Sequence, residues 1–245
     1  MALFEAARLA RGASLREPTT KSRDLVGDPA ARPSSSSSGP APVPAQMLDA
    51  CRSASLLIGG PKLRSLGVTS ALRGEGRTSV ALAMAAIQWR DYGRRVALVD
   101  LDFENPDLAR RHDLEPWPGL AELARGECTV ERAMQAVGEG VHVVTAGVVS
   151  DSVGRSVSEV VKSGALTEIS RYADVVLADL PPLLGGGPGR AACAPFSNLL
   201  LVVRAGVTPV ARVKEATADL HIAPSVLLNG AYSDLPGWLR RLLSR

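Results

Sequence analysis

The stretch of this chain richest in chemical potential is "TSALRGEGRTSVALAMAAI", residues 69–87, where an apolar run breaks into glycines and then resumes with helical spacing. Gly74-Glu75-Gly76-Arg77-Thr78-Ser79 opens that helical stretch. Glycines let the backbone wrap closely, so successive N–H groups and a helix N-terminus can face an anion. Thr78 follows at the position from which a hydroxyl can reach Mg²⁺. The spacing approaches the phosphate-binding pattern G-x-x-x-x-G-K-[ST], with Ala71 at the first glycine and Arg77 at the lysine. A tight strand-to-helix turn with no ligand would use the same glycines.

Three carboxylates stand at comparable places. "VALVDLDFENP" ends an apolar run in Asp100-x-Asp102, a pair able to hold a metal-bound water or to polarise an attacking hydroxyl. The plainer role for Asp102 is to cap the turn into "NPDLARR". "DVVLADLPPLL" ends a second run in Asp179, which is costly to bury unless paired, hydrogen-bonded or facing a cation. Pro181 and Pro182 then turn the chain out of any regular element. Asn229 closes a third run, "SVLLN".

The elements that must position these groups alternate. Short Val- and Leu-rich runs at 66–70, 96–100, 141–146, 175–179, 198–204 and 225–228 read as strands buried on both faces. Stretches 78–92, 156–172 and 208–220 read as helices between them. The expected fold is α/β: a three-layer sandwich, with a mostly parallel central sheet and helices on both faces. In such a sheet ligands bind beyond the carboxyl ends of the strands. Thr69, Ser70, Asp100, Asp102, Asp179 and Asn229 all fall there.

Residues 46–245 are expected to form the nucleotide-binding domain. Residues 1–45 read as an N-terminal segment with a short helix at 2–13 and a Pro/Ser-rich linker from 14, including five consecutive serines at Ser34–Ser38. Among 245 residues, 46% are hydrophobic and 4% aromatic, so the core must rest on Leu, Val and Ala. A net charge of +3 gives no reason to expect nucleic acid. Cys51, Cys128 and Cys193 are scattered, without metal-ligand spacing, and fit a reducing compartment. With no apolar run of membrane-spanning length and no signal-peptide pattern, a cytoplasmic chain is expected, peripheral to the inner face of the cell membrane if it docks there. The segment 235–245, with Trp238, Leu239, Leu242 and Leu243 among arginines, reads either as a helix packed on the domain or as a membrane-surface helix.

Residues 48–229 resemble the bacterial tyrosine kinases of capsule and exopolysaccharide synthesis, within the MinD/ParA class of P-loop ATPases. "VTSALRGEGRTSVALAMA" is similar to that family's Walker A stretch, "VALVDLDFENPDL" to its A-prime motif and "VVLADLPPLL" to its Walker B. "GLAELARGE", "NLLLVVRAGVTP" and "SVLLNG" resemble the segments between and after them. The resemblance implies ATP or ADP with Mg²⁺ as cofactors, with phosphates held by Gly74, Glu75, Gly76, Arg77, Thr78 and Ser79. It implies Thr78, Asp100 and Asp179 as metal-supporting residues, Asp100, Asp102 and Arg77 as the catalytic set, and Asn229 near the adenine. A membrane polysaccharide co-polymerase, or chain-length regulator, and further copies of the chain are the implied partners.

The departures from that family bear on activity. Arg77 replaces a lysine, and a planar guanidinium does not present its donors as an ammonium does. Glu104 stands where the A-prime motif has an arginine. The oligomerisation motif Glu-x-x-Arg-x-x-Arg falls on Asp49, Arg52 and Ser55, and "GGGPGR" at 185–190 lacks the usual acidic residue. The tyrosines are Tyr92, Tyr172 and Tyr232, and "GWLRRLLSR" contains none. The expectation is a kept nucleotide pocket with weakened or lost phosphotransfer. An active kinase or ATPase and a MinD/ParA-like positioning ATPase are the alternatives; against the latter, Leu72 and Arg73 occupy the region of its signature lysine.

Overall fold

The computed structural model describes residues 45–149, 151–185 and 188–230. The expected helix at 2–13, the linker from 14 and the amphipathic segment 235–245 lie outside them.

In chain order the elements are α1 (Ala45–Leu57), a 3₁₀ turn (Gly60–Lys62), β1 (Ser65–Ser70), α2 (Arg77–Arg90), β2 (Val96–Asp100), α3 (Leu108–His112), α4 (Leu120–Ala124), α5 (Val130–Ala133), β3 (Met134–Gly138) and β4 (Val141–Val144). There follow α6 (Val153–Ser163), α7 (Ala165–Ile169), β5 (Val175–Asp179), α8 (Gly189–Cys193), β6 (Leu199–Arg204), α9 (Val210–Thr217) and β7 (Ser225–Asn229). The strands form one sheet in the order β3-β4-β2-β5-β1-β6-β7, parallel except for β3.

Strand residues alternate between two cores. Val96, Leu98, Val175, Leu177, Leu200 and Val202 pack with α1 and α2 on one face. Ala97, Val99, Val176, Ala178, Leu201 and Val203 pack with residues of α4 to α9 on the other. This is the expected α/β three-layer sandwich. Unbroken Val/Leu runs suit β1, β2, β5 and β6, which are dry on both faces; β7, expected to be buried on both faces, is an edge strand with Val226 and Leu228 exposed. Gly67 sits mid-strand because a Cβ there would lie 2.6 Å from Leu180 Cδ1 and 2.9 Å from Leu199 Cδ2.

Three differences from the sequence reading have local causes. The helix expected over 156–172 is two helices, divided at Gly164, whose φ of 79° ends α6 and begins α7. The antiparallel strand β3 was not expected; it is half-buried and bulged near Ala136, and its mixed "MQAVG" lacks an apolar run. The strand expected to reach residue 146 stops at Val144. Beyond it, Leu120 and Ala121 donate to the carbonyls of Thr145 and Ala146. Among the described residues no helix is long and apolar enough to cross a membrane.

Candidate functional site

β1, β5 and β2 are neighbours near the middle of the sheet, so their carboxyl ends bring the 71–76 turn, Asp179 and Asp100 together. Thr69 Oγ1 donates to the Pro181 carbonyl at 2.8 Å and Ser70 Oγ to the Leu72 carbonyl at 2.6 Å, fixing the chain as it leaves β1. Gly76 caps α2 in the left-handed region, φ 93°, without any side-chain cap on the helix. The first-turn N–H groups of a 14-residue helix therefore carry no internal side-chain acceptor. A Cβ on Gly76 would lie 2.3 Å from Asn229 Nδ2, whereas one on Gly74, φ 80°, would meet nothing within 4 Å. The turn is thus braced on one side and open on the other.

The side chains of the turn divide their work. Arg77 is 8% exposed and donates from Nη2 to Asp102 Oδ2 at 2.7 Å, while its Nη1 is buried without a partner. Thr78 Oγ1 donates to Asp179 Oδ2 at 2.5 Å, and Asp179 Oδ1 is again buried and unpartnered. Asp102 Oδ1 shares that condition. Ser79 is half-buried one residue on. Such atoms are expensive unless something fills the gap. One guanidinium donor calls for an anion, and two carboxylate oxygens call for a cation or a donor.

Asp100 and Asp179 are direct neighbours across β2 and β5. Burial, then the Asp179 charge, pushes Asp100 up to about 7, against the pull of the N–H groups of Leu108, Asp107 and Asp102. Burial pushes Asp179 up to about 6, against the Thr78 hydroxyl and the Arg77 charge. The Asp100 oxygens are spent on backbone: Oδ1 accepts from Asp102 N at 3.1 Å, Oδ2 from Asp107 N at 3.1 Å and Leu108 N at 3.2 Å. Asp100 therefore shapes the turn that presents Asp102.

Two residues expected to face a nucleotide hold the turn. Glu75 is 3% exposed. Its Oε2 accepts from Leu72 N at 2.7 Å, and its Oε1 from Arg204 N at 3.0 Å and from the Thr208 hydroxyl. Asn229 donates from Nδ2 to the Glu75 carbonyl at 2.9 Å. The loop is thereby tied to the ends of β6 and β7. Sequence reasoning missed this brace, although an acidic side chain buried in a glycine turn at a helix start has to be paired. It also missed the pair between Arg73 and Glu104, with Arg73 Nη1 3.6 Å from Asp102 Oδ2 as well. On α1, Arg52 bonds Asp49 and Asp91, and Ser55 is buried against Gln88.

No protein-family model matches the chain. It is 27% identical over 168 residues to the tyrosine-protein kinase YwqD of Bacillus subtilis, an alignment spanning 68% of this chain and 70% of that protein. It is 28% identical over 200 residues to the succinoglycan biosynthesis transport protein ExoP of Rhizobium meliloti, spanning 74% of this chain but 25% of that longer protein. Among solved structures, the kinase domain of the Escherichia coli tyrosine kinase ETK superposes with a TM-score of 0.68 at 22% identity, over 77% of this chain and 80% of that one. The cell division ATPase MinD of Pyrococcus furiosus superposes with a TM-score of 0.53 at 24% identity, over 74% and 78%. The chain is thus similar in sequence to a bacterial tyrosine kinase and to a succinoglycan biosynthesis transport protein, and it has the fold that bacterial tyrosine kinase domains share with the cell division ATPase MinD.

Proposed function

We propose that the 74–79 turn binds ATP or ADP with Mg²⁺, and that the chain is a kinase-like regulatory partner in capsular or exopolysaccharide biosynthesis with weak or no phosphotransfer. The observation that carries the nucleotide reading is the convergence of three orphaned buried atoms, Arg77 Nη1, Asp102 Oδ1 and Asp179 Oδ1, beneath a glycine turn at an uncapped helix start. These fit the ligand in sign: the guanidinium donor and the α2 N–H groups suit phosphate oxygens, and the carboxylate oxygens suit a hydrated cation. Thr78 and Asp179 would hold Mg²⁺, which when bound would neutralise phosphate charge. Asp100 shapes the turn, Glu75 and Asn229 keep the loop's curvature, and Ser79 adds a hydroxyl beside it.

Weak transfer follows from what Arg77 does to Asp102. With its Oδ2 held by one guanidinium at 2.7 Å and approached by a second at 3.6 Å, Asp102 has one oxygen fewer to accept the hydrogen bond of an incoming hydroxyl. The polysaccharide setting rests on the succinoglycan relative. With this reading go a membrane co-polymerase partner, a cytoplasmic placement at the inner face of the membrane, and assembly with further copies. The second reading, an active kinase or ATPase, is favoured by the retention of Thr78, Asp100, Asp102 and Asp179 around one point. Incubating the full chain with γ-labelled ATP and Mg²⁺ separates the two. Bound nucleotide with no label on Tyr92, Tyr172 or Tyr232, nor on a co-purified partner, is expected. Rapid labelling of a tyrosine rejects the weak-transfer reading.

A further inference from the structure

Arg73 lies on the turn one residue before Gly74, and its guanidinium faces two carboxylates at once. It pairs with Glu104 on the turn after β2, and its Nη1 lies 3.6 Å from Asp102 Oδ2. The same Oδ2 is held by Arg77 Nη2 at 2.7 Å, so one carboxylate oxygen sits between two guanidinia. The two arginines differ in freedom: the Arg77 side chain is 9% exposed, that of Arg73 is 42% exposed and that of Glu104 32%. Between them Gly74 leaves open space beside the turn. Arg77 is thus a built-in part of the floor, whereas Arg73 stands at the rim with a partner it can leave. A half-exposed ion pair contributes little, because water and lost side-chain freedom offset the attraction. A phosphate group offers a guanidinium more charge and two parallel hydrogen bonds.

We propose that Arg73 distinguishes a nucleoside triphosphate from a diphosphate by leaving Glu104 for the terminal phosphate, with Glu104 as the competitor that sets the preference. This rests on the reading that the 74–79 turn binds nucleotide. A diphosphate engages the turn backbone and Arg77, and leaves Arg73 with Glu104. A triphosphate extends toward the rim and draws Arg73 across. Glu104, released, then faces the bound anion, so it opposes the triphosphate both as competitor and as like charge.

The test is calorimetric titration of the full chain with ADP and with the β,γ-imido analogue of ATP, both with Mg²⁺. Arg73→Ala is expected to weaken the triphosphate analogue by about 10- to 100-fold, the worth of hydrogen bonds to charged groups. ADP affinity should stay within about 2-fold, since those bonds are absent from its complex. Glu104→Gln should move the other way, tightening the triphosphate analogue by about 3-fold and leaving ADP unchanged, as expected for removing a weak, half-exposed competitor. Equal losses for both nucleotides in Arg73→Ala, or no change in either variant, overturn the inference while the nucleotide reading stands. A wild-type chain that binds neither nucleotide overturns that reading, and the inference with it. An unchanged melting temperature in Arg73→Ala accompanies the expected result, and a fall large enough to explain the loss counts against it.

Discussion

Removing the Glu75 carboxylate should cost the fold more than it costs any ligand directly. Its two oxygens accept three hydrogen bonds, two of them from the backbone N–H groups of Leu72 and Arg204. Glu75→Ala strands both N–H groups where Glu75 itself is only 3% exposed. A fully buried unsatisfied donor costs about 1–3 kcal/mol, so these two part-buried donors have an upper range of about 2–6 kcal/mol. Water entering the emptied space favours the lower half, about 2–4 kcal/mol. For a domain of this size each kcal/mol moves the melting temperature by about 2–4 °C, which predicts a fall of about 4–16 °C. Glu75→Gln keeps one acceptor oxygen and presents an amide NH₂ in place of the other, so it should fall about half as far. Thermal unfolding followed by circular dichroism, without nucleotide, reads both values. A Glu75→Ala protein within about 2 °C of wild type, or a Gln variant as damaged as the Ala variant, would refute the brace.

Arg77→Lys should raise ATP turnover, read as phosphate release, because it returns a compact ammonium charge to the phosphate and frees Asp102 from the guanidinium; preorganised charges at a developing anion are worth about 10²–10³ in rate, and at least a tenth of that should return. An unchanged rate contradicts the assignment of the defect to Arg77. The raised carboxyls give the unliganded protein a pH dependence with a definite sign. Asp100 at about 7 and Asp179 at about 6 hold protons in the folded state that the unfolded chain has released. Their contribution is full below about 4, the ordinary carboxylate value, and is lost as pH rises through 6 and 7. Melting temperature should therefore decline from about pH 5 to pH 8, and Asp179→Asn should flatten the decline and be the more stable protein at pH 8. An Asn variant with the wild-type slope would contradict this. Asp174, held down at about 2 by its hydrogen bonds from Arg95, adds no slope in that range, since its contribution is lost only as pH falls through its own value.

The parts of this molecule written in single runs of residues were readable in advance. Val96–Asp100 and Val175–Asp179 are strands at the expected bounds because a central parallel strand is dry on both faces and its apolar run ends where the charge begins. Thr78, Asp102 and Asp179 converge because the carboxyl ends of the adjacent strands β2, β5 and β1 lie together and α2 starts just beyond β1. What escaped were features depending on partners far along the chain. Glu75 reads locally as a loop residue, and only the fold brings it against Arg204 and Thr208. Asn229, expected beside a base, is drawn by the same proximity onto the Glu75 carbonyl. Asp100 looks like a ligand in "DLD", and only the fold brings its two oxygens to three backbone donors of the turn that follows. The compensating charges of Arg73 and Glu104 are 31 residues apart and meet only across two strand ends.

Equilibrium binding of ATP to the full chain, by calorimetry with Mg²⁺ and with chelator, beside the same titrations of Thr78→Ala, bears most directly on the central claim. The site as built predicts saturable binding, stronger with Mg²⁺, and loss of that Mg²⁺ enhancement in Thr78→Ala. At about 100 times the dissociation constant, the nucleotide should add about 2.7 kcal/mol of stability to the wild type. No heat and no thermal shift at millimolar nucleotide would contradict it.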